Sequence, residues 1–266
     1  MVISISHKTI RGCFAQGEES LLPSPSSDIL SNKAILRTAI ILEIKQSSLP
    51  VQSGRQSMEW HVSDAQSLAI IDQEIGDHLF TPAEYEIVRR VIYATADFEY
   101  KSLIRFSERA LQAGAAALAA RSTIVVDVPM VQVGITPFIQ TSFANPVYCS
   151  MEALTRPQKE KTKAAWGMQT LASRYPEAIF VVGQSQTALN SLVELIELEE
   201  IKPALVIGTP SGFVDVDVAK DRLKDSQVPH IRIEGRKGGA AVAAAIMHGL
   251  VDLARQAYGE NNTGVG

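Results

Sequence analysis

Residues 178–208 read AIFVVGQSQTALNSLVELIELEEIKPALVIG, and this stretch decides the fold. It opens on a short apolar run, AIFVVG. It continues as a helix from Gln186 to about Leu198 and closes on a second apolar run, ALVIG. Apolar runs separated by a helix are the unit of a parallel sheet, whose strands are apolar on both sides because helices cover both faces.

The same alternation extends outward. TIVVDV (123–128) is another apolar run, and HIRIEG (230–235) alternates. Further helices are expected over about Arg156–Ser173, Val216–Lys224 and Gly239–Ala257. Upstream, SDAQSLAIIDQEIG has apolar residues at helical spacing, with Ser63 as cap and Gly76 as stop. TPAEYEIVRRVIYATAD begins with Thr81 as N-cap and Pro82 at the first helical position. SERALQAGAAALAA is a third helix, capped by Ser107. The expected fold class is α/β: a single domain with a mostly parallel sheet flanked by helices and joined by right-handed crossovers. Residues 58–258 form this domain. Residues 1–57 contain the Ser/Pro-rich segments LLPSPSSD and SSLPVQSGRQS and read as a poorly ordered extension, with Met58 an alternative start; 259–266 is a tail.

Composition narrows the function. The chain has 266 residues, 46% hydrophobic and 20% charged, with a formal net charge of -4. Such a balance gives no reason to expect nucleic acid or an anionic membrane as partner. The run AIILEI is too short to span a bilayer and contains Glu43. Cys13 and Cys149 stand alone, without zinc-ligand spacing or a disulfide framework, so a reduced, cytoplasmic setting is the default. No metal site is expected. The five histidines suggest no Ser-His-Asp or Cys-His arrangement.

In a parallel sheet, ligands bind where carboxyl ends of strands meet helix N-termini. Four loops there are rich in small residues: PMVQVGI, GQSQTAL, GTPSGFV and GRKGGAAVAAA. Glycine lets backbone amides approach a ligand, and the helix start favours an anion. None of the four is a P-loop or a GxGxxG fingerprint, so a nucleotide enzyme is the weakest reading. In GRKGG, Arg236 and Lys237 sit between glycines. They suit a carboxylate or phosphate, or else form a tight turn with two solvated cations. Lys163, in EKTKAAWGM, reads by itself as a solvated helix residue. In RRVIYATADFE, helical spacing brings Glu86, Arg90, Tyr93 and Asp97 roughly onto one face, a binding wall or a surface ion-pair stripe.

Taken in order and spacing, RRVIYATADFE, DVPMVQVGI, VGQSQTAL, GTPSGFV and GRKGGAAVAAA resemble the precorrin-8X methylmutase (cobalt-precorrin-8 methylmutase) family. The resemblance runs from about Met58 to Ala257. It implies an isomerase of cobalamin biosynthesis that moves a methyl group from C11 to C12 of the corrin ring. The substrate would be precorrin-8X or cobalt-precorrin-8, a macrocycle edged with carboxylates. The resemblance further implies a homodimer with the site near the subunit interface and no separate cofactor. The family's catalytic histidine lies in a segment like RxxHATGD, where this chain has Tyr93, and Ala96 replaces the glycine. Arg90 and Ser67 match substrate-contacting residues. Lys163 stands where many members have arginine, and Ala240 where many have serine. By the same resemblance, Gly183, Thr187, Gly208, Gly212, Arg236, Lys237, Gly238 and Gly239 would hold carboxylates and ring. The alternative reading is a corrinoid-binding protein with weakened or absent turnover, because a phenol is a weaker acid than an imidazolium.

Overall fold

The computed structural model describes residues 62–154 and 160–259. The extension expected over 1–57 lies outside them, as do residues 260–266 of the tail and the start of the helix expected from Arg156. Helices α1 (Val62–Glu74), α2 (Pro82–Thr95) and α3 (Tyr100–Leu103) lead into β1 (Ile104–Phe106). Next come α4 (Ala110–Ala119), β2 (Ile124–Val126), α5 (Pro129–Gln140) and β3 (Val147–Cys149). A 3₁₀ turn at Ser150–Glu152 precedes α6 (Lys163–Arg174), β4 (Ile179–Val182), α7 (Gln186–Glu197) and β5 (Leu205–Gly208). Last are α8 (Val216–Asp225), β6 (His230–Ile233) and α9 (Ala240–Tyr258). The sheet order is β1-β6-β5-β4-β2-β3, with β1 antiparallel to β6 and every other pairing parallel.

Strand periodicity builds two cores. In β4, Ile179 and Val181 face one side, and Phe180 and Val182 the other. The first side packs under α2, α4, α5 and α9, through Ile87, Leu118, Ile135 and Ile246. The second packs under α6, α7 and α8, through Met168, Leu192 and Leu223. Burying each such side chain contributes about 1.5–3 kcal/mol, which explains why β4 and β5 are apolar throughout. β6 differs: Ile231 and Ile233 join the first core, while His230 and Arg232, also buried, occupy its other face.

Local signals mostly hold. Thr81 and Glu84 form a capping box at the start of α2, and Ala96 ends it in the left-handed region at φ 52. Two expected caps are corrected. Ser63 lies inside α1, and Arg109 rather than Ser107 occupies the N-cap position of α4, without a side-chain capping bond; the Ser107 hydroxyl instead accepts the His230 N–H at 2.8 Å. PMVQVGI is a further correction, since it is helix rather than loop. Pro129 occupies the first turn of α5, and Val131, Ile135 and Ile139 bury one stripe at four-residue spacing. The three-residue edge strands β1 and β3 were not expected.

Candidate active site

Val126 pairs with Val181, Val182 with Gly208, and Gly208 with Arg232, so the carboxyl ends of β2, β4, β5 and β6 are level. From β2 the chain moves outward to β3, returns past β2 to β4, and continues in the other direction. Helices α5 and α7, which follow β2 and β4, lie on opposite faces. A reversal of this kind opens the crevice in which doubly wound folds bind ligands.

At this reversal Asp127 lies fully buried, just after the end of β2. Its carboxylate accepts the backbone N–H groups of Gly183 (3.0 Å), Gln184 (2.7 Å) and Ser185 (2.6 Å). Burial pushes its carboxyl pKa up, against the three donors that favour the ionised form. The loop before α7 therefore binds an anion from its own chain. Asp127→Asn sets an amide against those N–H donors and is expected to cost about 1–3 kcal/mol. Urea unfolding measures this, and an unchanged midpoint would remove the bracing role.

Gly183 and Gly208, expected to admit a ligand, both have a packing role. A Cβ on Gly183 would lie 2.6 Å from Val131 Cγ2 and 3.0 Å from Ala240 Cα, so this glycine lets α5 and α9 close on β4. A Cβ on Gly208 would lie 2.6 Å from Leu223 Cδ2, where α8 packs. The Thr187 hydroxyl lies 2.7 Å from that of Thr162, the N-cap of α6, which places exposed Lys163 beside the start of α7.

The loops after β5 and β6 interlock. The Gly239 N–H donates to the Thr209 carbonyl at 2.7 Å, and the Gly212 N–H to the Arg236 carbonyl at 3.2 Å. Arg236 is exposed and lies 5.8 Å over the ring of Phe213, itself 83% exposed. Lys237 donates to Asp97 at 2.6 Å and Glu99 at 2.7 Å, and these bonds push its pKa up. The Tyr100 hydroxyl donates to the Gly238 carbonyl at 3.4 Å. The cation loop is thus tied to the segment that follows α2.

The wall expected from Glu86, Arg90, Tyr93 and Asp97 divides three ways. Arg90 is buried, paired with Asp252 of α9 and, at 3.3 Å, with Glu86. Tyr93, 39% exposed, donates to Asp64 Oδ1 of α1 at 2.8 Å. Asp97 lies past the left-handed turn at Ala96 and faces Lys237, because the helix ends before the face is complete. The hydrogen bond to Asp64, then desolvation, raises the Tyr93 pKa, so its phenol keeps its proton at neutral pH. The Ser67 hydroxyl donates to the Ser63 carbonyl at 2.9 Å.

Sequence reading missed Asp127 and Lys220. Each had a signal: a carboxylate closing an apolar strand, and a lysine on the helix face of Val216, Ala219 and Leu223. Among the described residues, no three His, Cys, Asp or Glu side chains gather as metal ligands. A surface hollow of about 560 Å³, lined by Ile201, Lys202, Val228 and Pro229, lies at the amino ends of β5 and β6, away from these loops.

Comparison with known proteins agrees with this arrangement. The family model described as precorrin-8X methylmutase matches residues 64–253. A cobalt-precorrin-8 methylmutase of Synechocystis sp. is 40% identical over 203 residues, covering 71% of this chain and 94% of that protein. One from Leptospira interrogans is 38% identical over 199 residues, covering 70% and 90%. The solved precorrin-8X methylmutase of Thermus thermophilus superposes with a TM-score of 0.68 at 40% identity, covering 74% of this chain and 99% of that one. With its switch-point sheet, its interlocked strand-end loops and a family match spanning both, the chain belongs to the precorrin-8X methylmutase family.

Proposed function

We propose that this protein isomerises precorrin-8X or cobalt-precorrin-8, moving a methyl group from C11 to C12 of the corrin ring in cobalamin biosynthesis. One observation carries the assignment of roles: the bonds from Lys237 to Asp97 and Glu99 draw the cation loop onto the end of α2, the helix that bears Tyr93 at the family's catalytic position. The rearrangement neither adds nor removes atoms. Its C11–methyl bond breaks as the C12–methyl bond forms, and Tyr93 lends the macrocycle a proton or hydrogen bond and takes it back. Arg236 has no carboxylate partner among the described residues and meets a peripheral carboxylate of the substrate. Phe213 offers an apolar surface beside it. Ser67, Lys163, Thr187 and Gly212 would contact the rest of the ring edge, and Arg90 acts from beneath by fixing α2 to α9.

The working form is a homodimer in the cytoplasm. Met130 and Val133, 69% and 72% exposed on α5, support a face for the second copy. No helix among the described residues is long and apolar enough to cross a membrane. The test follows absorbance as purified protein meets precorrin-8X, and titrates the protein with hydrogenobyrinic acid. Product formation and saturable binding are expected. Failure to bind any corrinoid overturns the proposal, and binding without turnover leaves a corrinoid carrier.

A further inference from the structure

Lys220 is 1% exposed, although lysine normally carries its ammonium to water. It lies on α8, and its Nζ donates to the carbonyls of Gly235 (2.7 Å) and Lys237 (2.8 Å). These two carbonyls flank Arg236. In a planar trans peptide, the C=O and the following N–H point in opposite directions. Carbonyls drawn inward to Lys220 therefore send the N–H groups of Arg236 and Gly238 outward. The intervening Arg236 carbonyl is taken by the Gly212 N–H, which orients the third peptide the other way. Gly235 and Gly238, at φ +67 and +146, supply the left-handed backbone that the alternation needs.

We infer that Lys220 is a positioning residue for substrate capture: its buried ammonium turns the Arg236 and Gly238 N–H groups outward to receive a carboxylate of the macrocycle. The inference rests on the proposed methylmutase reading and adds to it the residue that presets the carboxylate cradle. The ammonium grips both carbonyls through charge-assisted bonds, and the neutral amine left after deprotonation donates much more weakly.

Its surroundings give that requirement a measurable pH limit. Burial lowers the Lys220 pKa to about 8. Asp217, three residues earlier on α8, favours the charge, and Arg232 of β6 opposes it. Arg232 is itself paired with Glu234. Glu194 and Glu197, on the neighbouring α7, act on Arg222 instead. Lys237 faces Asp97 and Glu99. The pKa values of Tyr93, Tyr100 and Lys237 are all raised, which moves them away from the interval between pH 7 and 9. Deprotonation of Lys220 as pH rises through about 8 loosens the cradle. KM should therefore rise toward alkaline pH while kcat at saturation stays nearly level.

The experiment measures kcat and KM of the full chain with precorrin-8X from pH 6.5 to 9.5, for wild type, Lys220→Arg and Lys220→Met, with a melting curve for each. In wild type, KM rises about tenfold across the range. In Lys220→Arg, whose guanidinium does not titrate there, KM stays flat. In Lys220→Met, KM is raised roughly tenfold to a hundredfold at every pH, with kcat within threefold of wild type. A wild-type KM independent of pH overturns the inference, even if Lys220→Met fails to fold. So does a Lys220→Arg profile that follows wild type. Wild-type turnover with a flat KM removes only the role of Lys220, whereas absence of both turnover and corrinoid binding removes the methylmutase reading with it.

Discussion

Tyr93→His is expected to raise kcat for the methyl shift by about 10²- to 10⁴-fold, the range that a well-matched general acid contributes. A phenol starts near pKa 10 and an imidazole near 6.5. Here the bond to Asp64 raises the phenol further, so Tyr93 gives up its proton reluctantly at neutral pH. That carboxylate has the opposite value for a histidine. A negative charge beside an imidazolium raises its pKa from below 7 toward the working range, where proton transfer is most effective. The variant should therefore lose activity as pH rises through the histidine's pKa, a limb that wild type lacks. Tyr93→Phe completes the set and should reduce turnover below wild type without altering corrinoid affinity. A Tyr93→His enzyme no faster than wild type would sink the proton-donor assignment.

Gly238→Ala should be the most damaging small change in the cation loop. An added Cβ would lie 2.1 Å from the Thr209 carbonyl oxygen and 2.9 Å from its carbon, both backbone atoms. It would also hold alanine at φ +146, a conformation that L side chains rarely adopt. Strain and overpacking together cost about 2–5 kcal/mol. In a chain of this size that lowers Tm by roughly 5–15 °C. The loop can relieve the clash only by leaving Thr209, which breaks the Gly239 N–H bond and moves the carbonyls away from Lys220. Corrinoid binding should fall with stability. Gly235→Ala is the internal control: its φ is +67, but nothing lies within 4 Å of the added carbon, so about 1 kcal/mol is expected. Equal melting temperatures for the two variants would disprove the close approach.

The residues that made the fold legible were those whose side chains obey one rule at a time. AIFVV and ALVI are buried on both faces, so burial alone predicted β4 and β5. PMVQVGITPFIQ misled because Pro129, Gly134 and Pro137 are ordinary loop residues, while its helical stripe of Val131, Ile135 and Ile139 is only three residues wide. β1 and β3 are three-residue edge strands, too short to show a period. At the site, GRKGG could be recognised as cationic and glycine-rich from local sequence. Its partners Asp97, Glu99 and Lys220 could not, because each contact spans 15 to 140 positions. Helical spacing also overstated the Arg90–Tyr93 wall: three residues apart, the two side chains serve different neighbouring helices, α9 and α1.

The place of Asp127 has a consequence for selectivity. Doubly wound sheets elsewhere receive phosphates at the helix start beside the switch point. In this chain that socket is already filled by a carboxylate at 2.6–3.0 Å from three amides. A nucleotide phosphate arriving there would find these three donors already taken by a buried carboxyl group. Asp127 thus occupies the place where a phosphate would otherwise meet these three amides. The cradle proposed for the substrate carboxylate sits instead at the neighbouring pair of strand ends, after β5 and β6, where Arg236 is exposed.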